Sequence, residues 1–285
     1  MTKPNLFIVG APKSGSTFLY EKLKDHPDLF FTKIKEVNHF SYKELSEASY
    51  YKDYKIEDQP TYLKAYKHAK NHKYCVDASV SYFAYQAVAR RIYDFNPDAK
   101  IIILMRDPYK RAFSHYLMDI RMQYATCDFC EYIEERGAHF TQYVGNSLFG
   151  ANIRNYIEVF GKEQVLVLQL EYLEQQLDRV FDFLEIENIS QSINTNDRVN
   201  PNKTPNNRIA SYFQKNRGVT EKLKLIIPKS IVRFGNQFLY SKADQTQKIS
   251  EREIAGLRPY LKPDLEVLSS LKLNLQLEDL KETYA

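Results

Sequence analysis

Leu6-Phe7-Ile8-Val9-Gly10-Ala11-Pro12-Lys13-Ser14-Gly15-Ser16-Thr17 passes from an apolar run through a glycine-bounded loop into the start of a helical pattern. The run Leu6 to Val9 is short and apolar on both faces, so it predicts a buried strand that turns sharply at Gly10. From Ser16 to Lys24, Leu19 and Leu23 recur four apart, and the pattern stops before His26-Pro27. Strand, loop and helix in this order form an anion cradle. Glycines let backbone N–H groups curl around a phosphate, and the next helix adds the positive end of its dipole. The two glycines have Walker-loop spacing, but Ser16 stands where the lysine belongs and the lysine has moved to position 13. A nucleotide kinase needs its lysine directly after the second glycine, with magnesium on the next hydroxyl. That reading stays open as an alternative, opposed by the displaced lysine.

The same grammar recurs downstream. Tyr74-Cys75-Val76-Asp77 predicts a strand, followed by a helical stretch from about Phe83 to Phe95. Lys100-Ile101-Ile102-Ile103-Leu104-Met105 is introduced by the turn-forming Asn96-Pro97-Asp98 and followed by Arg106-Asp107-Pro108. Pro108 suits the first turn of a helix over Tyr109 to Gln123. Gln164 to Leu170 is apolar on both faces, as a buried parallel strand requires. Strands that alternate with helices predict an α/β fold of three layers, a central, mainly parallel sheet flanked by helices, with ligands at the carboxyl ends of the strands. One domain over residues 1–285 is expected. Residues 190–208, rich in Asn, Ser, Thr and Pro, predict a long loop, and residues 209–285 a mostly helical part punctuated by Pro228 and Pro263.

Bulk properties narrow the function classes. Of 285 residues, 44% are hydrophobic and 27% charged, which excludes a disordered or fibrous chain. The net charge of +4 comes from lysines and arginines spread along the sequence rather than gathered in a stripe, so a nucleic-acid partner is not expected. No run approaches a transmembrane span. Met1-Thr2-Lys3-Pro4-Asn5 enters the apolar run directly without a signal-like segment, so a cytoplasmic protein is the expectation. The three cysteines do not form a disulfide framework. Cys127-Asp128-Phe129-Cys130 lacks a second pair at zinc-site spacing, and a structural role is expected for it.

A second motif joins the first. Arg106-Asp107-Pro108-Tyr109-Lys110-Arg111-Ala112-Phe113-Ser114-His115-Tyr116 puts a guanidinium at a strand end and a hydroxyl two turns along the helix. That set suits a phosphate dianion. Together with Pro12-Lys13-Ser14-Gly15-Ser16-Thr17-Phe18-Leu19, it resembles the sulfotransferases that use 3′-phosphoadenosine 5′-phosphosulfate (PAPS), in particular the glycan and heparan-sulfate type in a soluble, bacterial-like form. The resemblance implies that Lys13, Ser14, Gly15, Ser16 and Thr17 hold the 5′-phosphosulfate and that Arg106 and Ser114 hold the 3′-phosphate. It also implies that Lys203 closes over the nucleotide from the long loop, with Arg208 as a rival. PAPS is then the co-substrate and 3′,5′-adenosine bisphosphate the product, and no metal is needed.

The acceptor side follows from the same resemblance. Lys33-Ile34-Lys35-Glu36-Val37-Asn38-His39-Phe40 is similar to the segment whose glutamate takes the proton of the acceptor hydroxyl, so Glu36 is expected to act as base beside Lys13 and Lys35. The relatives' histidine stands two after the glutamate, where this chain has Asn38; His39 comes one later and is the candidate for that histidine's catalytic role. Asp77-Ala78-Ser79-Val80-Ser81-Tyr82 resembles a cleft segment, with Val80 in place of proline, which implies that Asp77 and Ser79 bind substrate; Asp77 capping the next helix is the alternative. The implied partner is a small-molecule or glycan acceptor, with a saccharide hydroxyl first. A catalytically inactive nucleotide-binding protein is the alternative from outside enzymology.

Overall fold

The computed structural model describes residues 3–48, 55–189, 203–205, 240–242, 247–278 and 280. At its centre the first apolar run forms β1 (Leu6–Gly10), flanked by β3 (Tyr74–Asp77) and β4 (Lys100–Met105). A short edge strand β2 (Leu29–Phe31) lies beyond β3, and β5 (Val165–Gln169) lies beyond β4. The order is β2-β3-β1-β4-β5 and every pairing is parallel. The strands have two buried faces, which is why they carry near-continuous apolar runs rather than alternation.

Leu6 and Ile8 point to one side with Ile102, Leu104, Leu166 and Leu168, under α1 (Ser16–Leu23) and a helix over Leu177–Leu184. Phe7 and Val9 point to the other with Ile101, Ile103, Met105, Val165 and Val167. That face is covered by helices including Gln86–Phe95, Pro108–Met122, Phe149–Phe160 and Glu251–Ser270. The three expected layers follow from this division. In chain order these helices and the short ones between them are α1, α2 (Tyr42–Glu47), α3 (Gln59–Lys64), α4 (Gln86–Phe95), α5 (Pro108–Met122), α6 (Phe129–Glu135), α7 (Ala138–Tyr143), α8 (Phe149–Phe160), α9 (Leu177–Leu184) and α10 (Glu251–Ser270).

Two expectations needed correction. Pro263 does not end the last helix: α10 runs through both Pro259 and Pro263 from a capping box made by Ser250 and Glu253. An interior proline costs about 3 kcal/mol. Ile254, Leu257, Leu261, Leu265 and Leu268 are all buried, and each apolar side chain contributes about 1.5–3 kcal/mol, so tertiary packing outweighs the local penalty. Packing on α8 is close because a Cβ at Gly150 would lie 2.3 Å from the Asp264 carbonyl oxygen, and Asp264 accepts the N–H groups of Gly150 and Ala151 at 2.7 and 2.8 Å. The expected long loop contains β6 (Lys203–Pro205), which pairs antiparallel with β7 (Tyr240–Lys242) and lies against α5. Only the backbone of this ribbon is described. Arg208 and Pro228 lie outside the described residues.

Candidate active site

Each strand delivers a site segment from its carboxyl end: Lys13 after β1, Glu36 after β2, Asp77 at the end of β3, Arg106 after β4 and Glu171 after β5. The chain crosses from β3 to β4 over β1, and such a reversal opens a crevice where ligands bind.

The loop after β1 peels away at a register shift between Ile8 and Gly10. Gly10 has φ 134°, and a Cβ there would lie 2.7 Å from Phe83 Cβ and 2.8 Å from the Val80 carbonyl oxygen, so only glycine fits. Lys13 and Gly15 are left-handed, at φ 69° and 95°. Gly15 is the N-cap of α1 and, lacking a side chain, makes no cap to its N–H groups. The Ser14 hydroxyl is fully buried and has no hydrogen-bond partner among the described residues. A buried hydroxyl of this kind costs about 1–3 kcal/mol unless something accepts or donates to it. With the uncapped N–H groups of α1 it fits a phosphosulfate.

The two motifs meet. Arg106 Nη1 donates to the Lys13 carbonyl at 3.4 Å, and Arg111 Nη1 donates to the Pro12 carbonyl at 3.3 Å. Asp107 caps α5 by accepting from the N–H groups of Tyr109 and Lys110, and its own N–H donates to Glu171 Oε1 at 3.1 Å. Ser114 is half-buried on the face of α5 that also carries Lys110. β6, which starts at Lys203, lies against this helix.

On the acceptor side Lys35 Nζ donates to Thr17 Oγ1 at 3.1 Å and stands 3.8 Å from Glu36 Oε1. One lysine thus links the phosphate loop to the candidate base. Glu36 has φ 64° and Asn38 φ 52°, and the left-handed region costs a non-glycine residue roughly 1–2 kcal/mol. The His39 ring stacks on Tyr62 at 4.3 Å, and its Nδ1 lies 2.9 Å from the Ile56 carbonyl oxygen. It belongs to the aromatic layer under the loop.

Asp77 and Ser79, the expected substrate-binding pair, are 1% and 0% exposed. Asp77 does not cap a helix: its carboxylate accepts from Ser79 Oγ at 2.6 Å and from the Tyr62 and Tyr82 hydroxyls at 2.8 and 2.9 Å. Burial raises its pKa against the pull of those three hydroxyls and of nearby His39. Between the ordinary carboxylate pKa and the raised one the folded state binds more protons than the unfolded chain, so this residue's contribution to stability falls as pH rises through that window. Asp77→Asn removes the titration. The urea midpoint of the variant is expected to gain on wild type as pH rises from below the carboxylate range to neutrality, and a constant difference would count against a raised pKa.

Arg111 and Glu171 were not singled out from the sequence as site residues. A clue to Arg111 was available: it stands on the apolar face of α5, four residues from Asp107 and four from His115, where a charge needs a reason.

A model of the sulfotransferase family matches residues 4–190. The chain belongs to the sulfotransferase family. Membership removes the nucleotide-kinase alternative and agrees with the lysine's displacement from the Walker position. Carbohydrate sulfotransferase 15 of Mus musculus is 24% identical over 250 residues, covering 66% of this chain and 45% of the relative. The membrane-associated sulfotransferase kil1 of Dictyostelium discoideum is 32% identical over 118 residues, covering 41% of this chain and 23% of the relative. The chain therefore spans less than half the length of either. A crystal structure of a sulfotransferase from Alicyclobacillus acidocaldarius superposes with a TM-score of 0.69 at 23% identity, over 99% of this chain and 100% of that one. At that identity the likeness is one of fold. No helix among the described residues of this family member is long and apolar enough to cross a membrane.

Proposed function

We propose that this sulfotransferase moves a sulfuryl group from PAPS to a saccharide hydroxyl, with Glu36 as base. The observation that carries the reading is Lys35, which reaches Thr17 of the phosphate loop and Glu36 at once. Sulfuryl transfer, like phosphoryl transfer, needs the nucleophile's base next to the donor's anion site and little covalent work from the protein.

PAPS, as second substrate, supplies the sulfuryl group on its phosphosulfate anhydride. Lys13, Ser14, Gly15, Ser16 and Thr17 hold that end, with Ser14 contributing the hydroxyl that has no partner among the described residues. Arg106 and Ser114 recognise the 3′-phosphate, and Lys203 closes over the nucleotide. Glu36 takes the proton as the acceptor oxygen attacks sulfur, and the bridging oxygen departs with the bond's electron pair on 3′,5′-adenosine bisphosphate. Lys13 and Lys35 lower the energy of the charge that develops there. A saccharide acceptor is supported by carbohydrate sulfotransferase 15 among the relatives.

The bisphosphate is expected to bind about 10- to 100-fold more tightly than 5′-AMP, because a charge-assisted hydrogen bond contributes about 1.5–3 kcal/mol. Arg106→Ala is expected to erase most of the difference. Titration calorimetry measures both, and equal affinities in the wild type would remove the 3′-phosphate assignment. Radiolabelled PAPS with a panel of saccharides, phenols and lipids then tests the acceptor class, and labelling confined to the phenols would overturn the saccharide.

A further inference from the structure

Residues 38, 39 and 40 each contact, one after another, one of the three residues whose hydroxyls donate to one buried carboxylate. Asn38 N–H donates to Ser79 Oγ at 3.1 Å, and Ser79 donates to Asp77 Oδ1. The His39 ring stacks on Tyr62, which donates to Asp77 Oδ2. Phe40 N–H donates to the Tyr82 hydroxyl at 3.3 Å, and Tyr82 also donates to Asp77 Oδ2. The Ser79 and Tyr82 hydroxyls each have a single proton and give it to Asp77, so each turns its lone pairs toward the loop's N–H groups, while Tyr62 meets the loop through its ring. The carboxylate thereby sets the direction of both accepting hydroxyls and anchors the ring.

The chain reaches the base through Asn38. Its Nδ2 donates to the Glu36 carbonyl at 2.9 Å, and its Oδ1 accepts from Ser81 Oγ at 2.6 Å. Asn is among the residues that enter the left-handed region readily, whereas Glu is not, so Glu36 keeps that backbone only while its neighbours enforce it.

We propose that Asp77, Ser79 and Asn38 are positioning residues that hold the backbone of Glu36 where its carboxylate meets the acceptor hydroxyl. This rests on the reading of Glu36 as base. It assigns to the segment after β3 the task of aiming the base from beneath, instead of touching substrate. The loop after β2 spans no regular structure between Phe31 and Tyr42, so its geometry depends on what it is tied to.

Ser79→Ala removes one link and Ser79→Thr keeps the hydroxyl. Turnover of Ser79→Ala is expected to fall about 10- to 100-fold, as for a reacting group displaced by around an ångström. Its bisphosphate affinity should stay within about twofold of wild type, and Ser79→Thr should restore most of the turnover. A general packing defect would lower binding as well and would not be rescued by threonine. Should Ser79→Ala fail to fold, Asn38→Gly serves: it accepts the left-handed backbone but makes neither side-chain bond, and the same loss is expected. Undiminished turnover in the folded variant overturns the proposal. The Glu36→Gln background separates the two readings. Positioning predicts that Ser79→Ala costs almost nothing further there, and an equal cost in both backgrounds overturns positioning while leaving Glu36 as base. Near-wild-type turnover of Glu36→Gln alone removes the base, and with it the proposal.

Discussion

Glu36→Gln is expected to lower turnover about 10²- to 10⁴-fold while leaving bisphosphate affinity and folding unchanged, which is the usual worth of a positioned general base. An aliphatic hydroxyl is a poor nucleophile until something takes its proton, and Glu36 is the carboxylate that Lys35 links to the phosphate loop. Glutamine keeps the shape and the backbone amide that Asn38 grips, so the network below is preserved. The Lys35–Glu36 pair is partly exposed and 3.8 Å apart, so its loss alters stability by no more than about 1 kcal/mol. Turnover with saturating PAPS and acceptor, beside calorimetry with the bisphosphate, separates chemistry from binding. Near-wild-type turnover would show that the base is misassigned. If the wild type itself shows bisphosphate binding without turnover on any acceptor, the inactive nucleotide-binding reading is favoured.

How much of this was legible in the sequence depends on how locally each feature is encoded. The strands over Tyr74–Asp77 and Lys100–Met105 coincide with their apolar runs because both faces of a buried parallel strand need apolar residues. The loop Gly10 to Thr17 and the turn at Arg106-Asp107-Pro108 were legible for a related reason: glycines, a helix-capping aspartate and an N1 proline write backbone geometry into a few adjacent residues. β2 has three residues at a sheet edge, too few for a periodic signal. β6 exists only through pairing with β7, whose Tyr240 lies opposite Pro205, and no local pattern announces a partner so far along the chain. The buried hub at Asp77 escaped for the same reason. Asn38 and Ser79 are 41 residues apart, and Tyr62 and Asp77 are 15 apart, so no local pattern shows which hydroxyls gather on the acid at this strand end.

Arg111 is the other long-range device, and its replacement is expected to have the largest effect on stability. It is 0% exposed, and its guanidinium donates to Ser147 Oγ at 2.7 Å, the Gln142 and Tyr143 carbonyls at 2.6 and 2.8 Å, and the Pro12 carbonyl at 3.3 Å. Methionine has similar length but offers no donor, so several buried acceptors lose their partner at about 1–3 kcal/mol each. Partial relaxation leaves an expected loss of about 3–5 kcal/mol for Arg111→Met, measured by urea unfolding. A loss under about 1 kcal/mol would show that these groups find other donors. Lysine keeps the charge but not the planar fork, so it cannot reach α5's neighbours and the phosphate loop together, and an intermediate loss is expected. The lysine variant also asks whether Arg111 matters to the nucleotide. A ligand that binds only the folded state stabilises it in proportion to the logarithm of its affinity. If the Pro12 contact holds the phosphate loop open for the phosphosulfate end, saturating bisphosphate should raise the unfolding midpoint of Arg111→Lys by less than it raises that of wild type. An equal rise would mean that Gly10, Lys13 and Gly15 shape the loop unaided, and that Arg111 serves only to fasten α5 to the Gln142–Ser147 segment.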